Sequence, residues 1–383
     1  MPYKESPVSE VTLSSINIFP VKSLGSISLS QSFVSDSGLA FDRRFMLSDP
    51  QGQLLSARQV PALLQFKILL RDEGIEIIAP DGDHLSVRYP ELFQNYRQVT
   101  IWGTEINAQH CGIGFDEWFS NKLGRECHLL YFGEQSERYT SRRLDKPVAF
   151  ADGYPLLVIS EASLEDLNSR ATAPVTMEHF RTNLVAKGCE PFAEDSWKRI
   201  RIGEVEFEVI KPCSRCVMTT YDPATGKKIA NGEPIKTLSQ YRMGASNDVF
   251  FGQNLIPLNE GRISVDDHIT VLETQIAEVY PDNTTRAVPK DKHSSRAKRS
   301  IQINLNGTRF TGNNQHSVLE QAEANGLMLP SACRAGLCGV CKVKLLSGEV
   351  QRDSERPLTH EERSTGIILA CSCTPLSDVH IEL

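Results

Sequence analysis

Short apolar or alternating runs fill the first third of the chain, at 11–19, 27–34, 44–48, 66–70, 75–79 and 84–89. Asp49-Pro50-Gln51-Gly52, Asp72-Glu73-Gly74 and Asp81-Gly82 interrupt them. Short strands broken by turns at this spacing predict a barrel or sandwich rather than a parallel α/β sheet. One helix is predicted at 115–123, where Phe115, Trp118 and Phe119 share a face and Gly124 can end it.

The pattern changes near residue 145. An apolar run at 154–159 predicts a strand, and Ser160 can cap a helix that turns Leu164 and Leu167 inward. Further strands are predicted at 183–186, 205–210 and 261–272. Residues 281–300 are poor in apolar side chains and include Lys290, Lys292, Arg296, Lys298 and Arg299, which predicts a flexible basic linker. Beyond it, runs at 301–305 and 308–310 flank Asn306-Gly307, a hairpin signal. A helix at 317–325 closed by Gly326, with strands at 342–346 and 379–382, completes a compact third unit.

Composition agrees with this layout. At 383 residues the chain can hold two or three domains. With 40% hydrophobic and 23% charged residues it reads as globular. The net charge of −7 argues against a nucleic-acid coat protein, so no nucleic-acid polymer is expected as partner. No apolar run approaches the ~18 residues of a membrane span, and the first twenty positions have no signal-peptide core, so a cytoplasmic protein is expected. Ten cysteines are then unlikely as disulfides, and they are unevenly placed.

Cys333, Cys338 and Cys341 have the spacing C-x4-C-x2-C, and Cys371 follows. This is the ligand pattern of a plant-type [2Fe–2S] cluster, and Gly336 and Gly339 let backbone N–H groups approach the sulfurs. A structural zinc site is the rival, but zinc ribbons favour paired C-x2-C knuckles. Cys373 could replace Cys371 only if the loop shifted by two residues. Pro330-Ser331-Ala332-Cys333 and Ile368-Leu369-Ala370-Cys371 resemble plant-type ferredoxins, which implies a β-grasp fold over 301–383. Such a cluster passes single electrons, so a source and a sink are required.

No flavin or nicotinamide motif is evident. Gly112-Ile113-Gly114 begins like a dinucleotide loop, but Glu117 takes the third glycine's place and a helix-entry turn explains it better. Cys213 and Cys216, in Lys211-Pro212-Cys213-Ser214-Arg215-Cys216, form a C-x2-C pair. Alone it is ambiguous between half a zinc site, a redox dithiol and one ligating thiolate. The nine histidines form no ligand-spaced cluster, and Cys111, Cys127 and Cys189 read as small buried hydrophobes.

Residues 212–226, read as Pro-Cys-Ser-Arg-Cys-x-x-Thr-Thr-x-Asp-Pro-x-Thr-Gly, resemble the signature of MOSC-domain proteins, which bind molybdenum cofactor. Phe180-Arg181-Thr182-Asn183 and Phe251-Gly252-Gln253 agree. Phe19-Pro20-Val21-Lys22-Ser23, Asp42-Arg43-Arg44-Phe45 and Ser56-Ala57-Arg58-Gln59 resemble the family's N-terminal barrel. The whole organisation is similar to bacterial proteins that detoxify N-hydroxylated bases, relatives of the mitochondrial amidoxime-reducing component.

The resemblance implies a mainly β fold with α+β elements: an N-terminal MOSC barrel (8–130), a MOSC domain (131–280), the linker (281–300) and the ferredoxin (301–383). It implies that Cys216 is the protein thiolate on molybdenum. Lys22, Ser23 and Arg44 would hold the pterin phosphate, with Arg58, Arg181, Asn183 and Ser214 also at the cofactor. Asp152 would lie near the metal as a proton relay; Gly153-Tyr154 departs from the small hydroxyl residues of the mitochondrial relatives. Without the resemblance, Arg44, Arg58 and Arg181 would read as surface salt bridges and Asp152 as a turn residue. The implied activity is reduction of hydroxylamines, amidoximes and N-hydroxylated nucleobases, with electrons from an external NAD(P)H-dependent flavoprotein. The alternatives are a cofactor or sulfur carrier, and a ferredoxin-type electron-transfer module.

Overall fold

Leu13, Ile16 and Ile18 on the strand Thr12–Ile18 are all fully buried, although their spacing does not alternate. A shift of register between Leu13 and Ser15 resolves this: a bulge takes up one residue and keeps all three apolar side chains on the inner face. The strand belongs to an eight-stranded sheet in a computed structural model that describes residues 10–92, 95–283, 298–331, 336, 339–355 and 357–383. The sheet runs Ile269–Thr274, Trp197–Ile202, Val205–Ser214, Phe250–Pro257, Leu156–Ser160, Leu184–Lys187, Thr12–Ile18, Ile27–Leu29. Leu156–Ser160 and Leu184–Lys187 run parallel, and between them in the chain lies the helix Glu161–Arg170, capped by Ser160, whose hydroxyl accepts from the Ser163 N–H. A bridge between Thr12 and His268 joins the sheet back on itself around Ile16, Val158, Ile200, Phe207 and Leu255.

This sheet lies in a compact unit of Met1–Cys213, Met218–Ala230 and Phe251–Glu278. The same unit holds a five-stranded sheet (Tyr96–Ile101, Thr104–His110, His128–Tyr131, Phe45–Ser48, Leu54–Leu55) and the meander Lys67–Arg71, Gly74–Ile78, His84–Arg88. Phe45, Phe66, Phe119 and Leu129 fill their core. The helix begins at Ile113, two residues earlier than predicted, because Gly112 takes φ 132 at its entry; Gly124, at φ 64, ends it. The predicted strand 261–272 is two strands, Gly261–Ser264 and Ile269–Thr274. A turn with Asp266 at φ 71 divides them, and Asp267 Oδ2 accepts from the Ser264 N–H at 2.7 Å.

The second unit comprises Ser214–Val217, Asn231–Phe250 and Val279–Leu383. Its sheet runs Thr308–Asn313, Ser300–Leu305, Val379–Glu382, Lys342–Ser347, Ile367–Leu369, with the helix Val318–Ala324 packed into the same core. Asn306 and Gly307 make the predicted turn at φ 49 and 82, and Ser317 with Glu320 forms a capping box. Of the predicted linker, residues 284–297 lie outside the described residues. The fold is mainly β with α+β elements, barrel sheets in the first unit and a mixed five-stranded sheet in the second. No described helix is long and apolar enough to cross a membrane.

Candidate cofactor site

Val21 bridges Phe45, and the chain turns tightly after it, with Ser23 at φ 74 and the Leu24 N–H donating to Val21 O. The turn buries Lys22, which is 6% exposed. Its Nζ donates to Phe150 O at 2.7 Å and to Asp152 Oδ1 at 2.5 Å. Arg138 fixes this partner segment, donating to Ala149 O, Ala151 O and Asp152 O at 2.9, 2.5 and 2.8 Å. Trp102 stands at the tip of the hairpin Tyr96–Ile101/Thr104–His110 at φ 50, a conformation a bulky residue seldom adopts, and donates its indole N–H to Asp152 Oδ1 at 3.3 Å. Arg58 stacks on the same indole, 4.2 Å from its centroid.

A second group gathers on Phe19. The guanidiniums of Arg43 and Arg181 lie 4.3 and 4.1 Å from its ring centroid. Asp42 ties them in: its carboxylate accepts from the Phe19 N–H at 2.7 Å, from Arg43 at 2.5 Å and from Asn183 at 3.2 Å. Arg43 also donates to Arg181 O, and Arg181 to Leu24 O at 2.7 Å beside Lys22.

Five cations (Lys22, Arg43, Arg58, Arg138, Arg181) thus meet two carboxylates (Asp42, Asp152). Burial pulls the Lys22 ammonium below its ordinary range; Asp152 opposes this, and Arg138 and Arg43 add to it. Burial and the neighbouring Arg43 pull Arg181 down to about 9. An arginine keeps its proton in proteins, so the shift marks a guanidinium short of counter-charge. Arg181 Nη2 is buried without a hydrogen-bond partner among the described residues. An excess of buried donors with an orphaned N–H fits a phosphate. Desolvation works to raise the Asp152 carboxyl, but Lys22 and Arg58 outweigh it and hold the group well below the usual range. Its side chain is 61% exposed, so the site reaches solvent here and desolvation is weaker than at Lys22.

Of the residues singled out in the sequence, Lys22, Ser23, Arg58, Asp152, Arg181 and Asn183 come together in the first unit. Arg44 turns elsewhere: its guanidinium donates to Phe132 O and lies over the Tyr131 ring at 5.2 Å. Its neighbour Arg43 joins the cations instead. Trp102 and Arg138 carry no mark in the sequence, and Asp42 and Arg43 stand in the Asp42-Arg43-Arg44-Phe45 motif with no role assigned to them there. Ser214 and Cys216 belong to the second unit, where the strand Val205–Ser214 ends. There the Arg215 N–H donates to Val249 O at 2.7 Å, and the Ser214 hydroxyl to Asp248 at 3.1 Å. Cys213 and Cys216 are half-buried.

Elsewhere in the second unit, Cys341 Sγ lies 3.2 Å from Cys371 Sγ, and the Gly336 N–H donates to Cys371 Sγ at 3.2 Å. Gly336 is at φ 67, and a Cβ there would stand 2.6 Å from Ser354 Cβ, so glycine is required. Cys373 is 1% exposed in the core, and burial pushes its thiol up to about 12. Cys333 and Cys338 lie outside the described residues.

Mitochondrial amidoxime-reducing component 1 of Mus musculus is 34% identical over 280 residues, 68% of this chain and 82% of that protein. Residues 145–270 match the MOSC domain, 10–126 the MOSC N-terminal beta barrel domain, and 301–376 the 2Fe-2S iron-sulfur cluster binding domain. The chain belongs to the MOSC family. This MOSC protein is also 33% identical to the molybdenum cofactor sulfurase of Oryza sativa subsp. japonica, over 62% of this chain and 32% of that one. Among solved structures, the ferredoxin reductase in carbazole 1,9a-dioxygenase is similar over 23% of this chain and 28% of that one, at 37% identity and a TM-score of 0.22. A MOSC domain binds molybdenum cofactor and the C-terminal domain a [2Fe–2S] cluster.

Proposed function

We propose that this MOSC protein is a cytoplasmic oxidoreductase that converts N-hydroxylated compounds to amines, R–NH–OH + 2e⁻ + 2H⁺ → R–NH₂ + H₂O. The observation that carries the reading is the excess of buried and half-buried cations around Lys22, in a chain that also holds a one-electron cluster domain. When bound, the molybdenum cofactor supplies the oxygen-accepting, two-electron chemistry, with electrons entering by way of the cluster from an NAD(P)H-dependent flavoprotein. Lys22, Arg43 and Arg181 would hold the pterin phosphate, with Ser23 and Arg58 beside them, and Asn183 braces Asp42. Ser214 positions the loop that offers Cys216 as the thiolate ligand of molybdenum. Cys333, Cys338, Cys341 and Cys371 would hold the iron.

An anion on Lys22 would loosen its grip on Asp152. The carboxylate then recovers a more ordinary basicity and can pass protons from solvent. The likeness to a sulfurase favours a second reading, a cofactor or sulfur carrier. Storage needs no electron input, which sets the ferredoxin domain against it. Metal analysis of the purified protein should find about one molybdenum and two irons per chain. Iron without molybdenum would leave only an electron-transfer module.

A further inference from the structure

Apart from the site already described, the first unit brings together three side chains able to ligate a metal, carried by three successive elements. His110 ends the strand Thr104–His110, Asp116 lies in the first turn of the helix Ile113–Leu123, and His128 starts the strand His128–Tyr131. Asp116 Oδ2 stands 2.6 Å from His110 Nε2 and 2.7 Å from His128 Nδ1. The three donor atoms all fall within 4.8 Å of one another. His110 and Asp116 are buried, and His128 has 17% of its side chain exposed. The other carboxylate oxygen, Oδ1, accepts from the Leu129 N–H at 2.9 Å, which fixes how the carboxylate faces the two rings.

We propose that His110, Asp116 and His128 form a binding site for a divalent transition metal such as zinc. Two imidazole nitrogens and one carboxylate oxygen are a donor set suited to zinc or cobalt, and three protein ligands leave a fourth position open. Asp116 and His128 also line a cavity of about 560 Å³, from which water or a small ligand can reach that position. Arg97 lines the cavity too, but Glu117 and Glu126 in the same lining leave it acidic, favourable to a cation. The Leu129 N–H is the outer support that ligating carboxylates commonly have. Two ligands of one tetrahedral ion stand roughly 3.3 Å apart, so the cluster must spread by about 0.6 Å on binding. The exposed edge of His128 lets it move.

The test is a cobalt titration of the chelator-washed full-length protein, followed by its absorption. Wild type should take up one cobalt with ligand-field bands and no thiolate charge-transfer band, and zinc should displace it. Asp116→Asn, which keeps the shape and removes the charge, and His128→Ala should both bind cobalt at least about 100-fold more weakly. Both should keep the iron content and visible spectrum of the parent, which shows them folded. Zinc should raise the Tm of wild type and leave that of both variants unmoved. Equal cobalt binding by wild type and Asp116→Asn, or thiolate bands in the bound cobalt, would reduce the cluster to a hydrogen-bonded knot between helix and sheet.

Discussion

Cys216→Ala should lower kcat/KM for N-hydroxylated substrates by at least about a thousandfold, with chemical and protein electron donors alike. Contacts of its neighbours help hold the loop that carries the thiol: the Arg215 N–H on Val249 O and the Ser214 hydroxyl on Asp248. Truncating Cys216 leaves both contacts, so the variant should fold and keep its iron. A carbon side chain cannot replace a soft anionic ligand, and the loss therefore falls on the chemistry rather than on substrate affinity. The measurement is steady-state reduction of a hydroxylamine with iron content determined on the same sample. Full activity in Cys216→Ala would remove the residue from the metal.

The second large effect separates two cysteines two positions apart. Cys371→Ala should strip the iron and its visible absorption and stop reduction by a protein donor, while a chemical donor that bypasses the cluster still supports turnover. Cys373→Ala should keep cluster and activity, at a stability cost of about 1 kcal/mol. Cys371 faces Cys341 and receives the Gly336 N–H, the kind of bond that supports a cluster sulfur. Cys373 is locked in the core, with its thiol pushed up to about 12. A thiol held protonated by burial is a poor ligand. Absorption spectra of the two variants answer the question directly; iron loss in Cys373→Ala with retention in Cys371→Ala would reverse the assignment.

Much of the architecture is legible in the chain because its signals are local. Asp-Pro-Gln-Gly and Asn-Gly turns, the Ser160 cap, and glycines that end helices act within a few residues. What escapes is what depends on long-range placement. Tyr96–Ile101 and Thr104–His110 carry mixed polar sequences, and the Trp102-Gly103 turn between them lacks the usual Asn-Gly or Asp-Gly mark. So the hairpin that delivers Trp102 to Asp152 gives no clear signal. Arg43 and Arg44 are chemically alike, and only the backbone, with Arg43 at φ 48, decides which one meets the cations. Arg138 is a lone arginine whose role is to hold three carbonyls. His110, Asp116 and His128 have no ligand spacing at all, since a strand end, a helix turn and a second strand must pack before they meet.

The most direct test of the central claim is product analysis on the intact protein. A panel of hydroxylamines, amidoximes and N-hydroxylated nucleobases is incubated with wild type and a chemical electron donor, and the amines are measured. Wild type should form amine at two electrons per molecule, and Cys216→Ala should form none. A wild-type preparation that carries both molybdenum and iron yet forms no amine from any of these compounds would contradict it.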